Sequence, residues 1–224
     1  MKLSETTIDI LSNFATINPN MLFKEGTTLS TISEAKNIMA SATIEERIPR
    51  EFGIYDLSEF LSTVSLLKEP KLDLGAASAK ISGTDSDSIE YFYASKESLT
   101  TPTKNVTMPK ADVKFTLSAD AFARIKKAAG VLGHSTVVFT GKKGVISCQV
   151  VDPNNQTANK YTLVVDEENA SKEVFSFVMA IGNLKMIAGD YSVAFSSKLI
   201  SNFKNANVPV EYWIALEKSS TFGS

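Results

Sequence analysis

The sequence is poor in the side chains that build covalent and metal-centred chemistry: 224 residues carry one cysteine, Cys148, and one histidine, His134. One cysteine forms no intrachain disulfide, and the pair cannot complete a zinc site of the Cys/His kind. A reducing compartment is therefore expected. No apolar run approaches the ~20 residues needed to cross a bilayer, so no membrane partner is expected. The opening Met1-Lys2-Leu3-Ser4-Glu5 turns polar at once, which is unlike a secretory signal.

Enzymatic constellations are missing too. His134 stands between Gly133 and Ser135 with no G-x-S-x-G motif beside it and reads as a loop residue. Cys148 lies in an alternating segment, 145–150, where it points inward as a buried thiol. Gly141-Lys142-Lys143-Gly144 lacks the spacing and the following GK[ST] of a phosphate loop, and reads as a hairpin turn. Asp87, Glu90, Asp166, Glu167 and Glu168 fall in or beside predicted turns, as solvated acids do. Three glycosylation-type triplets, starting at Asn105, Asn155 and Asn169, read as polar loops. No catalytic residue, metal or cofactor is expected, and the chain does not read as an enzyme.

At 43% hydrophobic and 21% charged, the chain can bury a sizeable core. Its net charge of −2 is unevenly spread. Residues 1–109 hold 10 basic and 15 acidic side chains, whereas residues 110–224 hold 13 and 10. A basic surface is expected in the second half.

Residues 3–17 read as a helix capped by Ser4, with Ile8, Leu11 and Ala15 on one stripe, Phe14 widening it and Asn18-Pro19-Asn20 ending it. Strand-type segments follow at 21–24, 28–32 and 38–44. A second helix starts near Leu57, with Leu57, Phe60, Leu61 and Val64 on one face, and breaks at Glu69-Pro70. Residues 71–74, 79–82 and 88–94 return to strand.

The plan then repeats at an offset of 114 residues. Ser118 stands where Ser4 stood, Phe122, Ile125, Ala129 and Val131 match Ile8, Leu11, Ala15 and Ile17, and Gly133 takes the breaker position. Strands are expected at 136–140, 145–151, 161–165 and 174–179, a short helix at 180–188 mirroring 57–67, then strands at 190–196, 200–205 and 210–216. With 100–109 as linker, the expectation is an α+β chain of two similar domains, 1–109 and 110–224. Each should carry two helices packed on one face of antiparallel sheet. On helix 118–129 the apolar stripe leaves Arg124 and Lys127 on the far side and Lys126 flanking, which makes that face basic.

Three groups of residues carry a family likeness. Met1-Lys2-Leu3-Ser4 with Asn13-Phe14-Ala15-Thr16-Ile17-Asn18, Ile54-Tyr55-Asp56-Leu57 with Phe60, Leu61 and Leu66, and Ala215-Leu216-Glu217 with Ser220-Thr221 resemble the sliding clamps of T-even-type bacteriophages. Segments 38–52 and 76–110 match that pattern poorly. The resemblance implies the DNA clamp fold and a ring-forming homotrimer around duplex DNA, gripping no particular sequence and tethering a replicative DNA polymerase. It also implies a clamp loader and late-transcription factors as partners, in the cytoplasm of an infected bacterial cell.

Together with the basic stripe, the resemblance implies that Lys2, Lys68, Arg124, Lys126, Lys127 and Lys185 face the hole. Ring closure is expected between Ile89, Tyr91 and Tyr93 of strand 88–94 and Tyr161, Leu163 and Val165 of the next chain. Partner peptides are expected in an apolar pocket formed by Val106, Met108 and Pro109 with Tyr212, Ile214 and Leu216. The rival reading is a non-catalytic two-domain assembly or virion protein without DNA contact.

Overall fold

A computed structural model describes residues 1–104, 106–155 and 157–223. Asn105, in the expected linker and the first triplet, and Gln156, in the second triplet, lie outside the described residues. The chain divides into two compact units, Met1–Asn105 and Val106–Ser224.

The first unit runs α1 (Glu5–Ile17), β1 (Met21–Phe23), β2 (Gly26–Ile32), β3 (Ile38–Ile48), β4 (Phe52–Ile54), α2 (Leu57–Ser65), β5 (Lys71–Leu74), β6 (Ser78–Ser82) and β7 (Ser88–Phe92). All its pairings are antiparallel: β2 with β3, β1 with β4, and β5-β6-β7 in sequence order. Both helices pack on one another, and Phe23 stacks on Phe52 with ring centroids 4.5 Å apart. Asn18 ends α1 and, fully buried, donates its amide to the carbonyls of Ile32 and Thr100.

The second unit runs β8 (Val113–Leu117), α3 (Ala119–Leu132), β9 (Thr136–Lys142), β10 (Val145–Val151), β11 (Tyr161–Asp166), β12 (Phe175–Ala180), β13 (Tyr191–Ser196), β14 (Ile200–Asn205), β15 (Val210–Ala215) and β16 (Thr221–Phe222). Its strands form one antiparallel sheet in the order β11-β10-β9-β12-β16 and a second antiparallel run β8-β13-β14-β15. Phe139 and Phe177 of the first meet Phe115, Phe195 and Phe203 of the second in a chain of ring contacts. That aromatic layer is the core of the unit.

The repeat is visible in the caps. The Ser4 hydroxyl accepts from the Thr7 N–H and the Ser118 hydroxyl from the Ala121 N–H, so each helix begins with the same three-residue reach. Before α3, Leu117 of β8 pairs with Tyr191; before α1 there is no strand, but the Leu72 N–H donates to the Met1 carbonyl. Gly133 closes α3 at φ 68°, a left-handed conformation that glycine adopts without a Cβ penalty.

Three expectations are corrected. The stripe of α1 is Thr7, Ile10, Leu11, Phe14 and Ile17, with Ile8 and Ala15 at its margin, because the buried positions follow the bulkier Ile10 and Phe14. Val131 is 76% exposed rather than part of the α3 stripe. The helix at 180–188 is a single 3₁₀ turn, Ile181–Asn183, followed by chain without regular structure in which Leu184 and Met186, two residues apart, are buried. Gly182 and Asn183 are weak helix formers, so among the described residues only the first unit holds two α-helices.

One carboxylate ties β3 to the start of α1. Glu46 accepts from the Ser4 N–H and, at 2.6 Å, from the Thr7 hydroxyl. Burial alone would raise its pKa; the hydrogen bonds from Thr7 and Ser4 outweigh that and hold it below the ordinary 4.5. Because the folded value is the lower one, this stabilisation is complete above the ordinary value and is lost as pH falls through the folded value. Glu46→Gln is expected to cost about 1 kcal/mol at neutral pH. The gap between the two melting curves should close in acid, and a gap that is constant with pH would contradict the assignment.

Candidate functional site

The groups expected to be chemically idle are built into the scaffold. Cys148 is fully buried on β10, and desolvation pushes its thiol well above the ordinary range. A ring nitrogen of His134 lies 2.7 Å from the Asn159 carbonyl. Lys142 pairs with Val145 across a two-residue turn in which Lys143 and Gly144 both have positive φ, the signature of a type I′ hairpin. Asp166 accepts from the Glu168 N–H and the Asn169 amide, and so organises the loop after β11.

All six cations expected on the inner surface are exposed: Lys2 and Lys68 in the first unit, and Arg124, Lys126, Lys127 and Lys185 in the second. On α3 they do not form one row. Lys126 sits over the Phe122 ring at 5.4 Å, on one flank of the helix. Arg124 turns to the other flank, where Nε donates to the Tyr161 hydroxyl at 3.1 Å and a terminal nitrogen pairs with Asp120 at 3.4 Å. The Tyr161 hydrogen bond, reinforced by Asp120, raises the guanidinium pKa further. Arg124, Lys127, Lys160 and Tyr161 thus line a shallow groove floored by Ala128, Val131 and Leu132. Lys160 was not expected here; the reach from α3 to β11 spans 37 residues of sequence and leaves no local signal.

The strands named for ring closure both lie at sheet edges: among the described residues β7 pairs only with β6, and β11 only with β10. Their side chains need correction, however. Ile89 and Tyr91 are half-buried and turn inward; Tyr91 meets Phe60 edge-on at 5.2 Å and donates to Glu59 at 3.2 Å. Burial and then the Glu59 charge push the Tyr91 hydroxyl up to about 12. Tyr93, beyond the end of β7, packs on Phe52. Tyr161, Leu163 and Val165 are likewise half-buried. Because alternate residues face opposite ways, the outward positions are Phe92, 69% exposed, and Val164, 46% exposed.

The expected peptide pocket also changes. Tyr212, Ile214 and Leu216 are buried in the second unit, and burial raises the Tyr212 pKa. Tyr212 and Ile214 are the inward phase of β15, with Leu216 directly after it, and Glu211, Trp213 and Ala215 are the outward one. Val106, Met108 and Pro109 are half-exposed. Beside the end of β15 lies an open concavity of about 510 Å³, with Val178 and Ala180 of β12 on one side and Glu217, Lys218 and Ser219 on the other.

These features sit on a fold shared with solved PCNA and beta-clamp structures. The A. fulgidus PCNA, solved with the C-terminal region of FEN-1 bound, matches with a TM-score of 0.72, at 12% identity over 98% of both chains. Two helix-and-sheet units with open strand edges therefore have the DNA clamp fold. The family profile of the DNA polymerase processivity factor matches residues 2–105, and that of the gp45 sliding clamp, C terminal, matches residues 114–218. A sliding clamp of Vibrio phage KVP40 is 30% identical, over 97% of this chain and 99% of the relative. That of Escherichia phage RB69 is 30% identical over 99% of each. The chain belongs to the bacteriophage sliding-clamp family, DNA polymerase processivity factors that serve as scaffolds and not as enzymes.

Proposed function

We propose that three copies of the chain close head to tail into a ring around duplex DNA in the host cytoplasm and tether a replicative polymerase. The observation that supports the ring is the pair of open edges, β7 in one unit and β11 in the other, each with one large apolar residue turned outward. Edge strands of this kind join by main-chain pairing, and different surfaces meeting head to tail close into a ring when the rotation allows. Lys2, Lys68, Lys126 and Lys185 supply weak, sequence-independent phosphate contacts on the inner side. Topology, rather than a tight grip, retains the DNA.

Polymerase and clamp-loader peptides are assigned to the concavity beside β15, and late-transcription factors to the same surface. The A. fulgidus PCNA, which binds the C-terminal region of FEN-1, lends support by analogy. The inner-side assignment is tested by Lys126→Glu with Lys185→Glu. Processivity should fall several-fold at low salt, and the deficit should shrink as salt rises and screens the contacts, while the native mass is unchanged. Wild-type processivity at every salt concentration would remove both lysines from the inner surface.

A further inference from the structure

We propose that the groove between α3 and the start of β11 is an electrostatic latch for the acidic α2 face of a second copy, so that opposite charge fixes the head-to-tail direction of the ring and makes its closure salt-sensitive. The proposal rests on the ring reading above and names the contact that closes it. Each open edge is backed by one helix, and a tyrosine of the strand is tied to a charge of that helix. On β7 the Tyr91 hydroxyl donates to Glu59 of α2 at 3.2 Å; on β11 the Tyr161 hydroxyl accepts from Arg124 of α3 at 3.1 Å. Each helix also presents a large apolar residue at its end: Leu66, directly after α2, is 75% exposed, and Val131, in the last turn of α3, is 76% exposed. The two surfaces share one plan.

They differ in sign. The first carries Asp56 and Glu59 at the start of α2, a helix with no lysine or arginine. The second carries Arg124, Lys127 and Lys160 around the groove. Asp120 pairs with Arg124, but among the described residues neither Lys127 nor Lys160 has an ion-pair partner. Two first-unit faces would repel, as would two second-unit faces, so only the heterologous contact is favoured. Within it the apolar ends of the helices add burial that does not weaken with salt, whereas the charged contact does. Arg124 and Lys127 then act at the joint between copies and not on DNA.

The test is sedimentation of the full chain at one protein concentration, in low salt and in about 1 M salt, where the Debye length is roughly 3 Å. The wild type should be a trimer in low salt and at least about tenfold weaker in high salt, a change of ~1.4 kcal/mol per joint. Glu59→Lys and Lys160→Glu should each dissociate the trimer in low salt, Lys160→Glu without lowering the melting temperature of the isolated chain and Glu59→Lys with only the small loss of its Tyr91 hydrogen bond, and combining them should restore the trimer. A wild type that is not trimeric in low salt refutes the ring itself. A trimer indifferent to salt and to Glu59→Lys, or a double variant that stays monomeric, leaves the ring and overturns the latch.

Discussion

Phe92→Glu is expected to convert the proposed trimer to monomers at micromolar concentration while the melting temperature of the isolated chain stays within about 2 °C of wild type. Phe92 is 69% exposed, so its removal takes little from the core of the first unit. At a β7–β11 joint the same ring would be covered by the next copy. Burying a phenylalanine side chain contributes roughly 1.5–3 kcal/mol, and an unpaired carboxylate placed there adds a desolvation cost, so each joint should weaken by about a hundredfold or more. Tyr91 one residue earlier should behave oppositely. Its ring packs on Phe60 and its hydroxyl on Glu59, so Tyr91→Ala should lower chain stability first and assembly second. Equal assembly by wild type and Phe92→Glu would move the joint away from the outward face of β7.

Phe195→Ala should destabilise the second unit by about 3–5 kcal/mol, enough to lower its melting temperature by roughly 10 °C or more. The ring is fully buried and lies 5.5 Å from Phe115, 5.2 Å from Phe139, 5.1 Å from Phe177 and 6.1 Å from Phe203, measured between centroids. It joins the inner faces of both strand layers, so no single neighbour can collapse into the space it leaves. Phe195→Leu keeps most of the volume and should lose far less. If alanine cost no more than leucine, the aromatic layer would not be the core of the unit.

Much of this was legible in the sequence because it depends on neighbours. Ser4 and Ser118 announce their helices within three residues, Gly133 ends one, and the 114-residue repeat needs only the order of apolar positions. The Gly141–Gly144 turn is equally local. What was not legible depends on distant partners or on phase. Arg124 faces Tyr161 because α3 lies against β11, a relation set by tertiary packing. Period-two alternation fixes that Tyr91 and Phe92 face opposite ways, but not which of them faces the core; α2 decides that, through Phe60 and Glu59. The same ambiguity assigned Tyr212 and Ile214 to a surface they do not reach. The segment at 180–188 misled because its apolar residues fit a helix and a strand equally well over so short a span.

The central claim, that topology rather than adhesion holds this protein on DNA, is tested most directly by loading it with its clamp loader onto nicked circular duplex and then cutting the circle once. The ring account predicts that the protein co-elutes with the closed circle at moderate salt and runs off the linear product within the time of the assay. Equal retention on circular and linear DNA, or equal loss from both, would contradict it.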